Sequence, residues 1–197
     1  LLTEIYFDLQ LLYQEKYGEN TVILMEIGTF FEVYEVDNRE FQIGKAKEIS
    51  ELLNIQLTRK NKTILENTKK NPLMAGVPAV AMERYLNRLI SEEKYTIVVV
   101  RQKGVPPKLS RYIDTIISPG TNFDFVKSKE ENFLTSLFVD INRGIYSIAI
   151  SAIDVTTGKT YLLESHSSSS DKTYALDEAF HFLSTHKTKE VVLSTVS

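Results

Sequence analysis

The chain has 197 residues, of which 43% are hydrophobic and 25% charged, and a formal net charge of −3 at pH 7, so it is long enough for one large or two small globular domains. The absence of cysteine excludes disulfides and thiolate metal sites and favours a reducing, intracellular compartment, either cytoplasmic or nucleoid-associated. No apolar run approaches the roughly 18 residues of a membrane span and no signal-peptide pattern is present, so we expect no membrane partner. Because the chain starts at Leu1 and not at methionine, we expect a fragment of a longer protein.

The first elements expected along the chain are a helix and two strands. Apolar residues at helical spacing predict a helix over residues 3–17, and Gly18 is a suitable stop. A hydrophobic run over residues 22–27 predicts a strand, and residues 30–36 predict a second strand after a bend at Gly28.

The bend between these strands carries the most informative motif of the chain, Gly28-Thr29-Phe30-Phe31-Glu32. Residues i and i+2 of an extended backbone share a face, so Phe30 and Glu32 are expected to project side by side and Phe31 to face the core. An aromatic wedge can enter a base step from the minor groove and kink the duplex. DNA phosphates repel a carboxylate. Glu32 is therefore favourable at a DNA-binding surface only if it hydrogen-bonds a base edge that normal pairing would occupy. The ordinary alternative is that both phenylalanines are core residues.

A helix, a short strand and a second helix are expected after the motif. Asn38 predicts the cap of a helix that runs to about Leu53 with Phe41 facing inward. Residues 55–58 alternate in polarity and predict a short strand. A tight, proline-bracketed segment over residues 72–78 then precedes a helix of about 14 residues.

The first domain is expected to end after two more strands. Residues 95–100 and 112–117 predict these strands on either side of a Gly-Val-Pro-Pro turn. Strands and helices alternate up to this point, which argues for an α/β domain over residues 1–125. The charged and polar residues 126–132 are expected to form a linker.

Positive charge is concentrated in the middle of the chain. Residues 56–112 hold 12 Lys and Arg against 4 Asp and Glu, whereas residues 1–55 carry a net charge of −7 and residues 113–197 one of −4. This asymmetry predicts one phosphate-facing surface, although an unevenly charged solvated surface gives the same totals. The best phosphate candidates lie in a basic loop: Arg59, Lys60, Lys62, Lys69 and Lys70. A weaker set flanks the Pro-Pro turn: Arg101, Lys103, Lys108 and Arg111.

The second half of the chain, residues 133–197, shifts to long β runs. They predict three strands joined by hairpin turns, a helix over residues 172–185 and a last strand over residues 190–193. This β-β-β-α-β order is the opening of a ribonuclease-H-like sheet.

A nuclease is one alternative function for this second half. Asp140 would end the first strand, where nucleases of the ribonuclease H fold hold a metal-binding carboxylate, and Asp154, Glu164 and Glu178 could complete a two-metal cluster. The simpler interpretation is that these four residues are ordinary surface and turn carboxylates. A protein-interaction platform is a third alternative.

Four motifs, in order, resemble the N-terminal end of the MutS family of DNA mismatch recognition proteins, and the resemblance covers essentially the whole chain. Residues 28–32 are similar to the family's mismatch-reading motif, and the other three matches are residues 52–58, 74–78 and 118–121. The resemblance implies an α/β fold class: a mixed-sheet MutS domain I followed by the start of a ribonuclease-H-like connector domain. Residues 99–107 also resemble a MutS branch found in giant viruses, octocoral mitochondria and some bacteria, so a viral or mitochondrial origin stays open.

By this resemblance, Phe30 stacks on a mispaired base while Glu32 hydrogen-bonds it, and Arg59, Lys60 and Met74 lie near the duplex. The chain departs from the family pattern at Thr29, where Asp is common. A second departure is Arg101, which precedes Gln102 where an acidic residue is usual. Both departures make the surface less acidic.

The function implied is DNA mismatch repair, with double-stranded DNA containing mispaired or unpaired bases as the partner. Intact members of the family are homodimeric ATPases whose connector domain can dock repair partners. No catalysis and no cofactor are expected within these 197 residues, because neither a G-x-x-x-x-G-K-[ST] nor a G-x-G-x-x-G motif is present. ATP and Mg²⁺ would belong to the parent protein. No metal site is expected either, since His166, His181 and His186 lack zinc-ligand spacing.

Overall fold

The computed structural model describes residues 2–105, 107–121 and 131–196. The chain divides into two compact units, Leu1–Ser118 and Pro119–Ser197, which are called here the N-terminal and C-terminal units. Residues 122–130, which include most of the predicted linker, lie outside the described residues.

In the part of the chain that the structure describes, the N-terminal unit contains a mixed seven-stranded sheet and three α-helices. The helices are α1 (Leu2–Tyr17), α2 (Ala46–Leu53) and α3 (Met82–Ile90). The strands are β1 (Thr21–Ile27), β2 (Phe30–Asp37), β3 (Gln42–Gly44), β4 (Thr58–Arg59), β5 (Leu73–Pro78), β6 (Thr96–Val105) and β7 (Lys108–Ile117). Their order is β4-β5-β2-β1-β6-β7, with β3 also paired to β2. Strands β1 and β6 run parallel, and the other neighbours run antiparallel.

Helix α1 covers one face of this sheet. Its Tyr6 and Phe7 pack with Tyr34 and Val36 of β2 in a buried cluster that also includes residues of β1 and β6. Side chains alternate along a strand, so Phe31 and Val33 of β2 point to the opposite face, where α2 packs against β2 and β5. The sheet is therefore buried on both sides along most of β2, and the exposed residues of this strand are at its two ends, Phe30 and Asp37.

The helix predicted from Asn38 is wrong in its first half. The Asn38 side-chain oxygen accepts hydrogen bonds from the backbone N–H groups of Glu40 (2.8 Å) and Phe41 (2.9 Å), which closes a turn and leaves Phe41 47% exposed. Asparagine favours such turns as strongly as it favours helix caps. Strand β3 follows, and the helix begins only at Ala46.

Three other boundaries also differ from the sequence-based expectation. The proline-bracketed segment is strand β5, which pairs with both β2 and β4. Helix α3 has 9 residues because Ala79–Ala81 form a separate 3-10 turn before it. The short strand expected over residues 55–58 is β4, which starts only at Thr58.

In its described residues, the C-terminal unit has the predicted β-β-β-α-β order. It consists of β8 (Phe133–Asn142), β9 (Ile145–Asp154), β10 (Thr160–His166), α4 (Tyr174–Thr185) and β11 (Thr188–Thr195). The sheet order is β10-β9-β8-β11, and β11 runs parallel to β8. Residues of α4 pack on one face against Phe133 and Ile148. The two units together confirm the mixed α/β fold class.

The start of β8 depends on a buried carboxylate, Asp154. Its oxygens accept hydrogen bonds from the Asn132 N–H (3.2 Å), from the N–H and hydroxyl of Thr156 (3.1 and 2.8 Å) and from the Thr157 hydroxyl. The bond from Thr157 is the largest contribution that lowers the pKa of Asp154, and burial acts in the opposite direction. Asp154 therefore stabilises the folded chain above the ordinary carboxyl pKa, and this stabilisation is lost as the pH falls below about 4.

Asp154→Asn is expected to lower the free energy of unfolding by about 2 kcal/mol at pH 7, because an amide has one acceptor oxygen in place of two and no negative charge to strengthen the hydrogen bonds. The difference from the parent chain shrinks when the pH is lowered from 7 to 3. Denaturant unfolding at the two pH values measures both effects, with Asp140→Asn as the control at a carboxylate that is not fully buried. An equal loss for the two variants, or a difference that does not depend on pH, would contradict this role.

Candidate nucleic-acid interface

The turn between β1 and β2 exposes Phe30 and buries Phe31. Gly28 has a φ of +61°, a backbone conformation that glycine adopts without steric cost. Phe30, the first residue of β2, is 44% exposed, whereas Phe31 is 1% exposed. The strand therefore places the two aromatic rings on opposite faces, in the arrangement that its alternation predicts.

Contacts from two distant segments hold this turn. The Gln102 side chain donates to the Gly28 carbonyl (2.9 Å) and accepts from the Gly28 N–H (3.3 Å). The Gln102 backbone N–H donates to the carboxylate of Glu26 (3.0 Å). From the other side, the Ala79 N–H donates to the Thr29 carbonyl (2.8 Å). The turn is thus fixed by β6 and by the segment after β5, and Phe30 projects from a rigid support.

Glu32 lies beside Phe30 on the same face, one step closer to the core. It pairs with Gly76 of β5, and a Cβ atom at Gly76 would lie 3.2 Å from the Glu32 Cγ. The glycine of the Met74–Pro78 motif therefore leaves room for the glutamate side chain. The Tyr34 hydroxyl donates to Glu32 Oε2 from the buried side. Phe30, Glu32 and Tyr34 thus form a row that runs from exposed through half-buried to buried.

Arg111 brings positive charge to this region. It pairs with Gln102 across β6 and β7, and its Nε is buried without a hydrogen-bond partner among the described residues. Burial and the bond to Glu32 raise the pKa of the Tyr34 hydroxyl, and the charge of Arg111 opposes that rise. The sequence suggested Arg111 only as a weaker phosphate candidate.

Arg101, another of the weaker candidates, is engaged elsewhere. Its Nε donates to the Asp114 carboxylate at 2.8 Å, and its guanidinium lies 5.4 Å from the centre of the Phe31 ring. That places Arg101 on the face opposite Phe30. Lys103 and Lys108 are exposed near the tip of the β6–β7 hairpin.

The basic loop is ordered around a buried side chain, Asn71, which is 4% exposed. The Asn71 amide donates to the carbonyls of Asn61 (3.2 Å), Ile64 (3.0 Å) and Glu66 (3.3 Å), and its oxygen accepts from the Asn61 N–H (2.7 Å). The loop therefore has a defined shape, which the sequence did not indicate.

The five predicted phosphate candidates in this loop differ in their surroundings. Arg59 donates to the Leu65 carbonyl, and the Lys69 ammonium lies 4.6 Å from the centre of the Phe41 ring. The other three, Lys60, Lys62 and Lys70, are exposed.

The basic loop and Phe30 lie toward opposite ends of β5. Strand β4 pairs with Leu73 and Met74, whereas Phe30 pairs with Pro78. Five residues of strand span roughly 17 Å, which equals about five base-pair steps along a duplex. Met74 itself pairs with Tyr34 and packs against the core cluster under α1, so it is not adjacent to Phe30.

One exposed apolar residue near the motif was missed by the sequence-based reasoning. Val80 is 98% exposed in the 3-10 turn whose first residue, Ala79, bonds Thr29. In the sequence, Ala79–Ala81 look like the first turn of the following helix, so no local signal marks Val80. The 3-10 turn that contacts Thr29 through Ala79 therefore carries a second exposed apolar side chain.

Two of the carboxylates considered for a nuclease site, Asp154 and Glu164, make hydrogen bonds to protein groups. Asp154 bonds the loop before β8, and Glu164 bonds the His166 imidazole at 3.1 Å. Within the described ranges, no group of three or more His, Asp or Glu side chains is arranged to hold a metal ion. No helix in those ranges is long and apolar enough to cross a membrane.

Comparison with known proteins places the chain in a family. The family model for MutS domain I matches residues 7–126. A mutS homologue of Acanthamoeba polyphaga mimivirus is 28% identical over 95% of this chain and 17% of its own length. The DNA mismatch repair proteins MutS of Petrotoga mobilis and Prochlorococcus marinus are each 31% identical, over 92% and 90% of this chain and 19% of their own lengths. The chain thus spans less than a fifth of the length of these relatives. It belongs to the MutS family, and residues 7–126 match domain I of that family.

Proposed function

We propose that this chain recognises mispaired or unpaired bases in double-stranded DNA during mismatch repair. Phe30 is the wedge that enters the base stack, and Glu32 hydrogen-bonds the displaced base. The observation that carries the proposal is an exposed aromatic ring beside a half-buried carboxylate, on one face of a rigidly held strand in a MutS domain I.

The wedge detects how easily the DNA is kinked at a base step. Kinking and unstacking DNA cost a few kcal/mol, and least where a base is already mispaired. Phe30 is exposed, and the backbone turn that carries it is held by the contacts of Gln102 and Ala79, so little binding energy goes into ordering that turn. Val80, exposed in the 3-10 turn after β5, adds an apolar contact to the duplex in this proposal.

The carboxylate disfavours normal duplex. Glu32 is repelled by phosphates and finds a hydrogen-bond partner on the DNA only when a base edge is free, so matched DNA carries a penalty that mispaired DNA escapes. Arg111 places a compensating positive charge near this acidic group.

Phosphate contacts supply affinity without sequence preference. Lys60, Lys62 and Lys70 are exposed on the basic loop, and that loop lies far enough from Phe30 to reach the backbone several base pairs away. Each phosphate contact that is removed would reduce the slope of log K against log salt by about 0.9. Arg59, Lys69 and Met74 stabilise the basic loop and the strand next to it through contacts within the protein.

These residues act within a larger assembly in this proposal. The match covers 17% and 19% of the lengths of two of the relatives. We infer that the intact protein is a homodimeric ATPase whose ATP and Mg²⁺ sites lie outside residues 1–197. We also infer that the C-terminal unit forms the first part of the connector domain and offers a surface to repair partners. The 197 residues themselves bind DNA and catalyse nothing, in a cytoplasmic or nucleoid-associated setting.

The Glu32→Ala variant tests the proposal. We expect it to bind G·C duplex more tightly and G·T duplex less tightly. The ratio of the dissociation constant for G·C to that for G·T should therefore fall by about 10-fold or more. Fluorescence anisotropy with the full-length protein measures both constants. Glu131→Ala, at an exposed carboxylate of the C-terminal unit, is the control. If Glu32→Ala leaves the ratio unchanged, Glu32 does not read the base.

A further inference from the structure

Tyr34 holds the carboxyl group of Glu32 from inside the sheet. The two residues share a face of β2, and the Tyr34 hydroxyl donates to Glu32 Oε2. The Tyr34 ring is 2% exposed, so its hydroxyl reaches Glu32 from the protein interior. One carboxylate oxygen therefore points inward, and the hydroxyl bond leaves the other available to a ligand.

The donor is itself fixed by packing. The Tyr34 ring lies edge-on to Tyr6, with 4.9 Å between ring centres and an interplanar angle of 84°. The Tyr6 hydroxyl donates to the Ile23 carbonyl at 3.2 Å. These contacts lock the Tyr34 ring and so determine where its hydroxyl points.

The neighbouring strand has space for the glutamate side chain that the hydroxyl holds. Gly76 has no Cβ, and a Cβ there would lie only 3.2 Å from the Glu32 Cγ. A flexible side chain that is ordered before binding does not lose that conformational entropy on binding. The arrangement around Glu32 is thus prepared before any base arrives.

We propose that Tyr34 is a positioning residue for base recognition, whose hydroxyl holds one oxygen of Glu32 inward so that the other faces the displaced base. This inference rests on the proposed role of Glu32. It assigns a specific task to the hydroxyl of Tyr34, separate from the packing of its ring.

The Tyr34→Phe variant isolates that hydroxyl, because the ring and its contact with Tyr6 remain. We expect the ratio of the G·C and G·T dissociation constants to fall by about 3- to 10-fold, which corresponds to ordering one long side chain. In the Glu32→Ala background, Tyr34→Phe is expected to change the ratio no further. Anisotropy with the full-length protein measures all four forms, and thermal unfolding checks that each is folded.

The matched control is Tyr95→Phe. The Tyr95 hydroxyl also donates to a glutamate, Glu48 Oε1, at 2.7 Å, but in a different part of the N-terminal unit. Loss of that bond should leave the ratio unchanged. The same fall in ratio for Tyr95→Phe and Tyr34→Phe would show a general stability effect and overturn the inference.

Three further outcomes separate the inference from the proposed function. If Glu32→Ala lowers the ratio and Tyr34→Phe does not, the positioning role is wrong and the role of Glu32 stands. If Tyr34→Phe lowers the ratio equally with and without Glu32, the hydroxyl acts by another route and the inference is also wrong. If Glu32→Ala has no effect, the proposed function fails, and the positioning role fails with it.

Discussion

We expect Phe31→Ala to lower the free energy of unfolding of the N-terminal unit by about 3–5 kcal/mol, the range for removing a fully buried phenylalanine. The ring is 1% exposed and packs under the guanidinium of Arg101, so its removal leaves a cavity in a sheet covered on both faces. Phe30→Ala, one residue earlier, should cost less than about 1 kcal/mol because its ring is 44% exposed.

Urea unfolding of the two variants measures this difference directly. It separates the two phenylalanines by structural role, independently of any DNA-binding assay. Similar losses of stability for both variants would mean that Phe30 packs in solution, and the wedge assignment would lose its basis.

The second large effect is expected at Asn71, the centre of the basic loop. Asn71→Ala removes a buried amide that makes four hydrogen bonds to loop backbone, and we expect a loss of about 3 kcal/mol. The backbone groups of residues 61–66 would then lose their common partner, so the loop should also become sensitive to proteolysis.

Unfolding and limited proteolysis of Asn71→Ala measure the two effects. Asn61→Ala is the matched control, because the exposed Asn61 side chain bonds locally, to Thr63, among the described residues. Equal stability and equal cleavage for the two variants would contradict the view that Asn71 shapes the loop.

Local periodicity was sufficient to predict much of the fold. The alternation in β2 places Phe30 outside and Phe31 inside, and the same rule puts Tyr34 on the face of Glu32. Hairpin turns and the helix of the C-terminal unit follow from turn residues and helical spacing. In these regions neighbouring residues determine the structure, so a sequence-based argument works.

Long-range contacts were not predictable in this way. Gln102 bonds Gly28 from 74 positions away, and no pattern in either segment indicates the pair. The Asn71 network likewise depends on how the loop folds back on itself. At Asn38, the sequence is compatible with both a helix cap and a turn, and the following strand β3 selects the turn.

The candidate site likewise has one part that local sequence predicts and one part that depends on long-range contacts. The wedge and the carboxylate were evident from spacing and from the resemblance to MutS. The room left by Gly76, the bond from Ala79 to Thr29 and the pairing of Arg111 with Gln102 depend on strand pairing and turn contacts that only the fold reveals. The sequence motif thus predicts the reading groups, and the structure shows which residues contact the turn and the carboxylate.

The proposed role of Phe30 is to enter a weakened base step, so its ring should matter for mispaired duplex and little for matched duplex. The full-length protein and its Phe30→Ala variant are titrated with G·T and G·C duplexes, with Phe180→Ala as the control at an exposed phenylalanine of the C-terminal unit. We predict that Phe30→Ala weakens G·T binding by about 10- to 100-fold, the value of one lost base–aromatic stack, and changes G·C binding little. An equal loss on both duplexes would contradict the claim and leave Phe30 a structural residue.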